Sequence, residues 1–194
     1  IRLRNQEDYF MLQTFIAIIA ILALIVLWII STQHKLVVLN ENVCNAMSQI
    51  GVQLSGRFDA LMTLLNLIKS YARHESDTLI GTINSRRSVI TSKSTPDDVV
   101  CQERVISDAL NVIAVVAELY PELKTNPDYI KAMDALETFE NMLRTSRLIY
   151  NDSVTKLDRE IRMFPVSMVA VMLGFRQRGY LEEKASKVGM PSMN

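Results

Sequence analysis

The feature that most constrains this chain is a long run without charge, residues 10–30, built mainly of Ile, Leu, Ala, Val and Phe. Its length matches the roughly 20 residues that a helix needs to cross a hydrocarbon core of about 30 Å. A signal-peptide core is shorter and is followed by a small-residue cleavage site, which Ser31-Thr32-Gln33 does not offer. Tyr9 and Trp28 suit the aromatic belts of a membrane interface. We therefore predict a retained transmembrane helix over residues 10–30.

The balance of charge limits the partners of this chain. Lys plus Arg and Asp plus Glu each total 21, so the net charge is zero and no global field would concentrate nucleic acid. We expect the lipid bilayer as a partner and no nucleic acid. Arg2 and Arg4 precede the apolar run and Lys35 follows it, so the charge rule barely discriminates between the two orientations.

Helical periodicity dominates the rest of the sequence. From Leu36 to Ala72, apolar residues recur in steps of three and four, which is the stripe of one long helix facing a core. Gly51 and Gly56 lie inside this stripe and mark a close helix approach or a local bend. Further patterns predict a second helix over about 75–90, a third that begins with Thr95 as its cap, and a fourth that ends at Phe164-Pro165. Nowhere does a sustained alternation of period two predict sheet.

We therefore predict an all-α fold, in which an N-terminal single-pass transmembrane helix continues into an antiparallel four-helix bundle with a very long first helix. The predicted parts are a short flank over 1–9, the transmembrane helix over 10–30, the bundle over 31–164, and an apolar segment and tail over 165–194. If the helices alternate up and down, the fourth ends near the bilayer. The apolar stretch 166–175 then either folds back as a cap on the bundle, which we expect, or lies at the membrane interface.

Five ordered segments resemble the LemA family of bacterial membrane proteins, and the resemblance covers nearly the whole chain, from the predicted transmembrane helix to about Glu182. They are Ser48-Gln49-Ile50-Gly51-Val52-Gln53-Leu54 with Arg57, Asp59 and Leu61; Tyr71-Ala72-Arg73-His74-Glu75; Ala117-Glu118-Leu119-Tyr120-Pro121-Glu122-Leu123-Lys124-Thr125-Asn126; Arg147 with Tyr150-Asn151-Asp152; and Phe164-Pro165 with Gly174-Phe175.

This resemblance implies a single-pass protein of the bacterial cell membrane, with a helical-bundle domain on the cytoplasmic side and no established biochemical activity. Two positions depart from the family's pattern. Met47 stands where the family usually has tryptophan, and Gly51 where it usually has aspartate. If that aspartate belongs to a functional surface, the function has drifted in this chain.

The candidate site consists of polar residues near the edges of the apolar stripes. Arg57 on the first helix and Arg147 on the fourth carry the main alternatives. We expect them to join a buried polar network that fixes the register of the helices; the alternative is a pocket in which both arginines bind an anionic group. The other candidates for this network or for an interaction are Gln53, Asp59, His74, Glu75, Asn151 and Asp152.

The residues available for catalysis are few. His34 and His74 are the only histidines, and there is no HExxH motif, no Glu-x-x-His repeat of di-iron bundles and no glycine-rich phosphate loop. Cys44 and Cys101 fit no CxxC pattern, and we interpret both as small packing residues. We predict no catalytic site, no metal and no cofactor, and a protein that is not an enzyme.

Two classes of function remain. The first is a structural or scaffolding protein that assembles with its own copies into a homo-oligomer at the membrane. Helices of unequal length favour it, because they would leave part of the first apolar stripe uncovered as an interface. The second is an adaptor or sensor that presents the bundle to another membrane protein. We expect the scaffold.

Overall fold

Five α-helices make up most of the described chain. The computed structural model describes residues 2–71 and 73–181, and the surroundings of the side chains over 12–71 and 77–181. The helices are α1 (Arg2–Ile68), α2 (Arg73–Arg86), α3 (Pro96–Leu119), α4 (Pro127–Arg162) and α5 (Val166–Met172), with a 3-10 turn at Pro121–Thr125. No strand occurs in the described ranges, and the all-α prediction is confirmed.

The first helix is continuous from the apolar run into the long stripe. α1 has 67 residues, so it extends about 100 Å at a rise of about 1.5 Å per residue. Residues 12–31 are exposed at every position. Within the described residues, α1 is the one helix that is long and apolar enough to cross a membrane. The very long first helix is confirmed.

The predicted stripe of α1 is buried along its length. Leu39 is half-buried and Ala72 lies outside the described residues, while the remaining predicted positions are at most 3 % exposed: Leu36, Val43, Met47, Ile50, Leu54, Phe58, Leu61, Leu65 and Ile68. The expectation that helices of unequal length leave this stripe uncovered is therefore wrong. An interface, if there is one, has to use another surface.

Contacts divide the chain into two compact units. The terminal unit comprises Ile1–Asn42 and Thr155–Gln177, and the central unit comprises Val43–Val154 and Arg178–Asn194.

Within the central unit, ion pairs fix the directions of α1 and α2. Near the end of α1, Lys69 Nζ lies 2.6 Å from Asp77 Oδ1 at the start of α2. Two to three turns earlier on α1, Asp59 Oδ1 lies 3.0 Å from Arg87 Nη2, just beyond the end of α2. Going back along α1 thus means going forward along α2, so the two helices run in opposite directions.

The directions of α1 and α4 follow in the same way. The rings of Tyr71, just after α1, and Tyr120, just before the 3-10 turn that leads to α4, have centroids 6.1 Å apart. Further back on α1, Arg57 contacts Glu140, more than three turns into α4. These two helices therefore also run in opposite directions in the central unit. The closed four-helix bundle stays a prediction.

The second helix is shorter than predicted, because a side chain from α3 replaces its next hydrogen bonds. The periodicity predicts a helix to about 90, but α2 ends at Arg86. Gln102 Nε2 donates to the Arg86 carbonyl at 3.1 Å, and Gln102 Oε1 accepts from the Ser88 N–H at 2.9 Å. Both backbone groups are thereby satisfied outside a helix. Ile90 is buried in this extended segment, whereas Val89 points to solvent.

The predicted start of the third helix is confirmed. Thr95 is the N-cap of α3, and its side chain accepts from the Asp98 N–H at 3.3 Å. The Asp98 carboxylate in turn accepts from the Thr95 N–H at 2.7 Å, which completes a capping box. The backbone N–H and the side chain of Thr95 both donate to the ionised Asp98 carboxylate, and these two hydrogen bonds hold the pKa of Asp98 below its ordinary value.

Gly51 allows the segment after α2 to lie directly against α1. A Cβ atom built on Gly51 would overlap with the carbonyl oxygen of Ile90, which is backbone and cannot rotate away. The family's usual aspartate would meet the same oxygen and bring a negative charge to it. A close approach, one of the two predicted reasons for this glycine, is therefore what the structure shows.

We expect Gly51→Ala to lower the stability of the chain by about 1–3 kcal/mol, because overpacking against backbone forces the 87–91 segment to move. Gly81→Ala is the matched control, since Gly81 lies inside α2 with nothing within 4 Å of a new Cβ. It should stabilise by up to about 1 kcal/mol through helix propensity. Thermal unfolding followed by circular dichroism measures both. Equal shifts for the two variants would contradict the close approach.

Candidate interaction site

The most buried ion pair of the candidate site joins α4 to α3. Arg147 on α4 donates from Nη2 to Oε1 of Glu103 on α3. Their side chains are 16 % and 8 % exposed, so both charges are largely shielded from water. Removing one partner would leave a buried charge without compensation, which typically costs about 3–5 kcal/mol. Arg147 is therefore neutralised by the chain itself.

A second pair joins α1 to α4. Arg57 Nη2 lies 2.7 Å from Glu140 Oε2, and the arginine side chain is 10 % exposed while the glutamate side chain is 64 % exposed. Burial lowers the pKa of Arg57, and the charge of Glu140 opposes that shift. The Nε of Arg57 is buried and has no hydrogen-bond partner among the described residues. The guanidinium thus lies beneath the surface, with its carboxylate partner at the rim.

The two arginines each have their own carboxylate. Glu140 and Arg147 are seven residues apart on α4, which places them two turns or about 10 Å apart along the helix. The partners of the two arginines also come from different helices, α1 with α4 in one case and α3 with α4 in the other. This geometry favours the polar network over a shared anion site.

Asp59 belongs to a third contact, which holds the segment after α2. Arg87 donates from Nη2 to Asp59 at 3.0 Å and to Ser55 Oγ at 3.3 Å. Its guanidinium carbon also lies 5.2 Å from the centroid of the Phe58 ring, within the range of a cation–π contact. Arg87 therefore clamps the extended segment to α1, while Gln102 holds it from α3.

Asn151 fastens the C-terminal described segment to α4. Its side-chain Nδ2 donates to the Leu181 carbonyl at 2.8 Å, and its Oδ1 accepts from the Leu181 N–H at 2.9 Å. The neighbouring Tyr150 hydroxyl donates to the Gly179 carbonyl at 3.0 Å. Leu181 is 2 % exposed, so both backbone groups of a buried residue are satisfied by one amide. We name Tyr150 and Asn151 with the 179–181 segment the C-terminal latch.

The remaining candidates are described only by their exposure or lie outside the described side chains. Gln53 is half-buried on α1, and Asp152 is exposed on α4. The side chains of His74 and Glu75 lie outside the described residues. The structure places Arg57, Asp59, Arg147 and Asn151 in specific contacts between elements.

Sequence reasoning missed the partners of those residues. Glu103, Gln102 and Glu140 lie on the sides of helical stripes, where charged residues are usually solvated, and Arg87 was included in the predicted helix. One signal was available for the first two, since Gln102 and Glu103 fall among the buried positions of α3 and interrupt its apolar pattern. The pairing itself depends on helix register, which periodicity does not determine.

The described residues contain no group of three His, Cys, Asp or Glu side chains arranged to hold a metal ion. Cys44 is half-buried, and Cys101 is exposed on α3. The interpretation of Cys101 as a packing residue is therefore wrong, because its side chain faces outward.

Comparison of the sequence with known proteins identifies one family and two relatives. The sequence model of the LemA family matches residues 46–194. Two magnetosome proteins of Paramagnetospirillum magneticum, MamQ 1 and MamQ 2, are each 30 % identical to this chain over 77 residues. That match covers 40 % of this chain and 28 % of either relative.

We expect Asn151→Asp to weaken the C-terminal latch by about 1–3 kcal/mol, because the new carboxylate cannot donate to the Leu181 carbonyl and faces it with a negative charge. Asn141→Asp on the exposed side of the same helix is the matched control and should change little. Thermal unfolding and hydrogen exchange of the Leu181 amide measure the effect. An amide that exchanges at the same rate in both variants would contradict the latch.

Proposed function

The chain belongs to the LemA family, and we propose that it is a single-pass membrane protein whose central unit lies in the cytoplasm and assembles with its own copies into a structural scaffold. The exposed apolar surface of 12–30 supports the anchor. The contacts of the candidate site support a structural role, since its arginines are occupied by carboxylates of the same chain.

One observation supports self-assembly: α3 exposes apolar side chains to solvent on one face. Val112, Val115 and Leu119 are exposed by 41 %, 57 % and 71 %, and their spacing of three and four residues places them on one face of the helix. This face flanks the buried stripe that includes Ile113 and Val116. We name the three exposed residues the α3 stripe. An apolar stripe of this kind on a folded surface commonly marks a protein interface.

Basic residues of the terminal unit support the cytoplasmic side. In the linear sequence, Lys35 alone stands close after the span, and the flanking charges barely discriminate. In the folded chain, Glu160 Oε1 lies 2.8 Å from Lys35 Nζ, which brings the end of α4 to this level. Arg159 and Arg162 lie in the same last turn of α4. Three basic residues therefore lie near this end of the span, although Glu160 pairs with Lys35 and Asp158 with Arg162. An excess of Lys and Arg is the feature that favours the cytoplasmic side.

The scaffold predicts a large, discrete particle for the detergent-extracted full-length chain, measured by light scattering with the detergent contribution subtracted. Val115→Glu and Leu119→Glu should each reduce the mass, because a carboxylate in an apolar interface has to be desolvated. Val89→Glu is the control, since Val89 is 74 % exposed and lies outside α3.

A monomeric native chain would contradict the scaffold and favour the adaptor or sensor, whose partner would then be sought by crosslinking in native membranes. An oligomer with the same mass in all variants would contradict the role of the α3 stripe.

Sidedness is measurable through the exposed thiol of Cys101. In a Cys44→Ser background, a membrane-impermeant maleimide should label Cys101 in lysed spheroplasts but not in intact ones, because the central unit is inside. A second variant, Cys101→Ser, measures labelling of the half-buried Cys44 and gives the background. Labelling of Cys101 in intact spheroplasts would place the central unit outside the cell.

A further inference from the structure

The chain has a second exposed apolar surface, at the end of α4 and along α5. Phe164, Val171 and Met172 are 80 %, 76 % and 86 % exposed. On the other face of the same short helix, Val169 and Ala170 are buried. One face of α5 thus packs against the rest of the chain, and the other face is exposed to solvent. We name the exposed set the α5 foot: Met163, Phe164, Met168, Val171, Met172 and Leu173.

The α5 foot lies in the same compact unit as the apolar run of α1. The contact between Lys35 and Glu160 shows which part of α1 lies beside the end of α4, just before the α5 foot. Lys35 follows residue 30 by five residues, or about 7.5 Å of helix. Phe164 follows Glu160 by only four residues, which is about 6 Å at the rise of a helix. The foot therefore begins near the depth at which the charge-free run ends.

Exposed positive charges border the foot. Arg159 and Arg162 precede it and Arg176 follows it, all with exposed side chains in the terminal unit, and Arg162 Nη2 also lies 3.7 Å from Asp158 Oδ2. A short apolar face bordered by arginines is the composition of a segment that lies in a membrane interface, where the apolar side chains enter the acyl boundary and the arginines meet phosphates. In water, the exposure of these large apolar side chains would be unfavourable.

We propose that the α5 foot is a second membrane contact of this chain, which inserts into the phospholipid interface of the leaflet that α1 leaves. The two contacts together hold the terminal unit against the bilayer, so that α1 is restrained at the membrane surface as well as within it. The α5 helix thus packs by one face and binds lipid by the other. This proposal does not depend on self-assembly, and it assigns the lipid surface, not another protein, as the occupant.

Tryptophan fluorescence of the full-length protein in phospholipid vesicles tests the foot. The one native tryptophan is removed by Trp28→Phe. Phe164→Trp and, separately, Met172→Trp then place a reporter in the foot. Val89→Trp is the control, because Val89 has a similar exposed fraction but lies in the central unit. Each variant is compared in vesicles with ordinary phospholipid and with phospholipid brominated on its acyl chains.

The proposal predicts blue-shifted emission for both foot reporters and a loss of that emission in brominated vesicles, whereas the Val89→Trp emission stays red-shifted and unquenched. Adding Val171→Asp to the Phe164→Trp variant should reduce the quenching, and because Val171 is exposed this change leaves the packed face of α5 intact. Foot reporters that behave like the control would overturn the proposal. Blue-shifted emission without bromine quenching would also overturn it, since protein rather than lipid would then cover the foot.

Discussion

The structure depends on the incompatibility between water and the first half of α1. Residues 12–30 form a charge-free helical surface that is exposed at every position, and no other part of the described chain covers it. A helix satisfies its own backbone hydrogen bonds, so this surface is stable in hydrocarbon and costly in water. This surface is therefore the part of the described chain that suits a lipid environment.

The central unit combines an apolar stripe with a small number of polar contacts. Burial of the α1 stripe drives the helices together, but an apolar pattern alone tolerates alternative packings more readily than paired polar groups do. The pairs of Arg147 with Glu103 and Arg57 with Glu140, together with the Asn151 latch, each require one register. Polar contacts of this kind favour one alignment of helices that hydrophobicity brings together.

The sequence predicted the helices better than their contacts. The stripe of α1 and the Thr95 cap depend on residues three to four positions apart, and the charge-free run is one continuous stretch. The structure has a helix through that stretch, a buried α1 stripe and a capping box at Thr95. The end of α2 was wrong because Gln102, 16 residues away from Arg86, satisfies its backbone. The partners of Arg57 and Arg147 lie 83 and 44 residues away, beyond any local pattern. The resemblance to the family marked Asn151, but its role as a latch required the path of the chain near Leu181.

Extraction of cell membranes at alkaline pH tests the central claim, the membrane anchor, most directly. The native chain and a control with Val52→Arg, an exposed position of the central unit, should both stay in the membrane pellet. A variant with Ile21→Arg and Leu22→Arg should be released, because each charge at the centre of a span costs about 2.5–3.5 kcal/mol. Release of the native chain into the supernatant would contradict the anchor, and with it the lipid environment that the rest of the account requires.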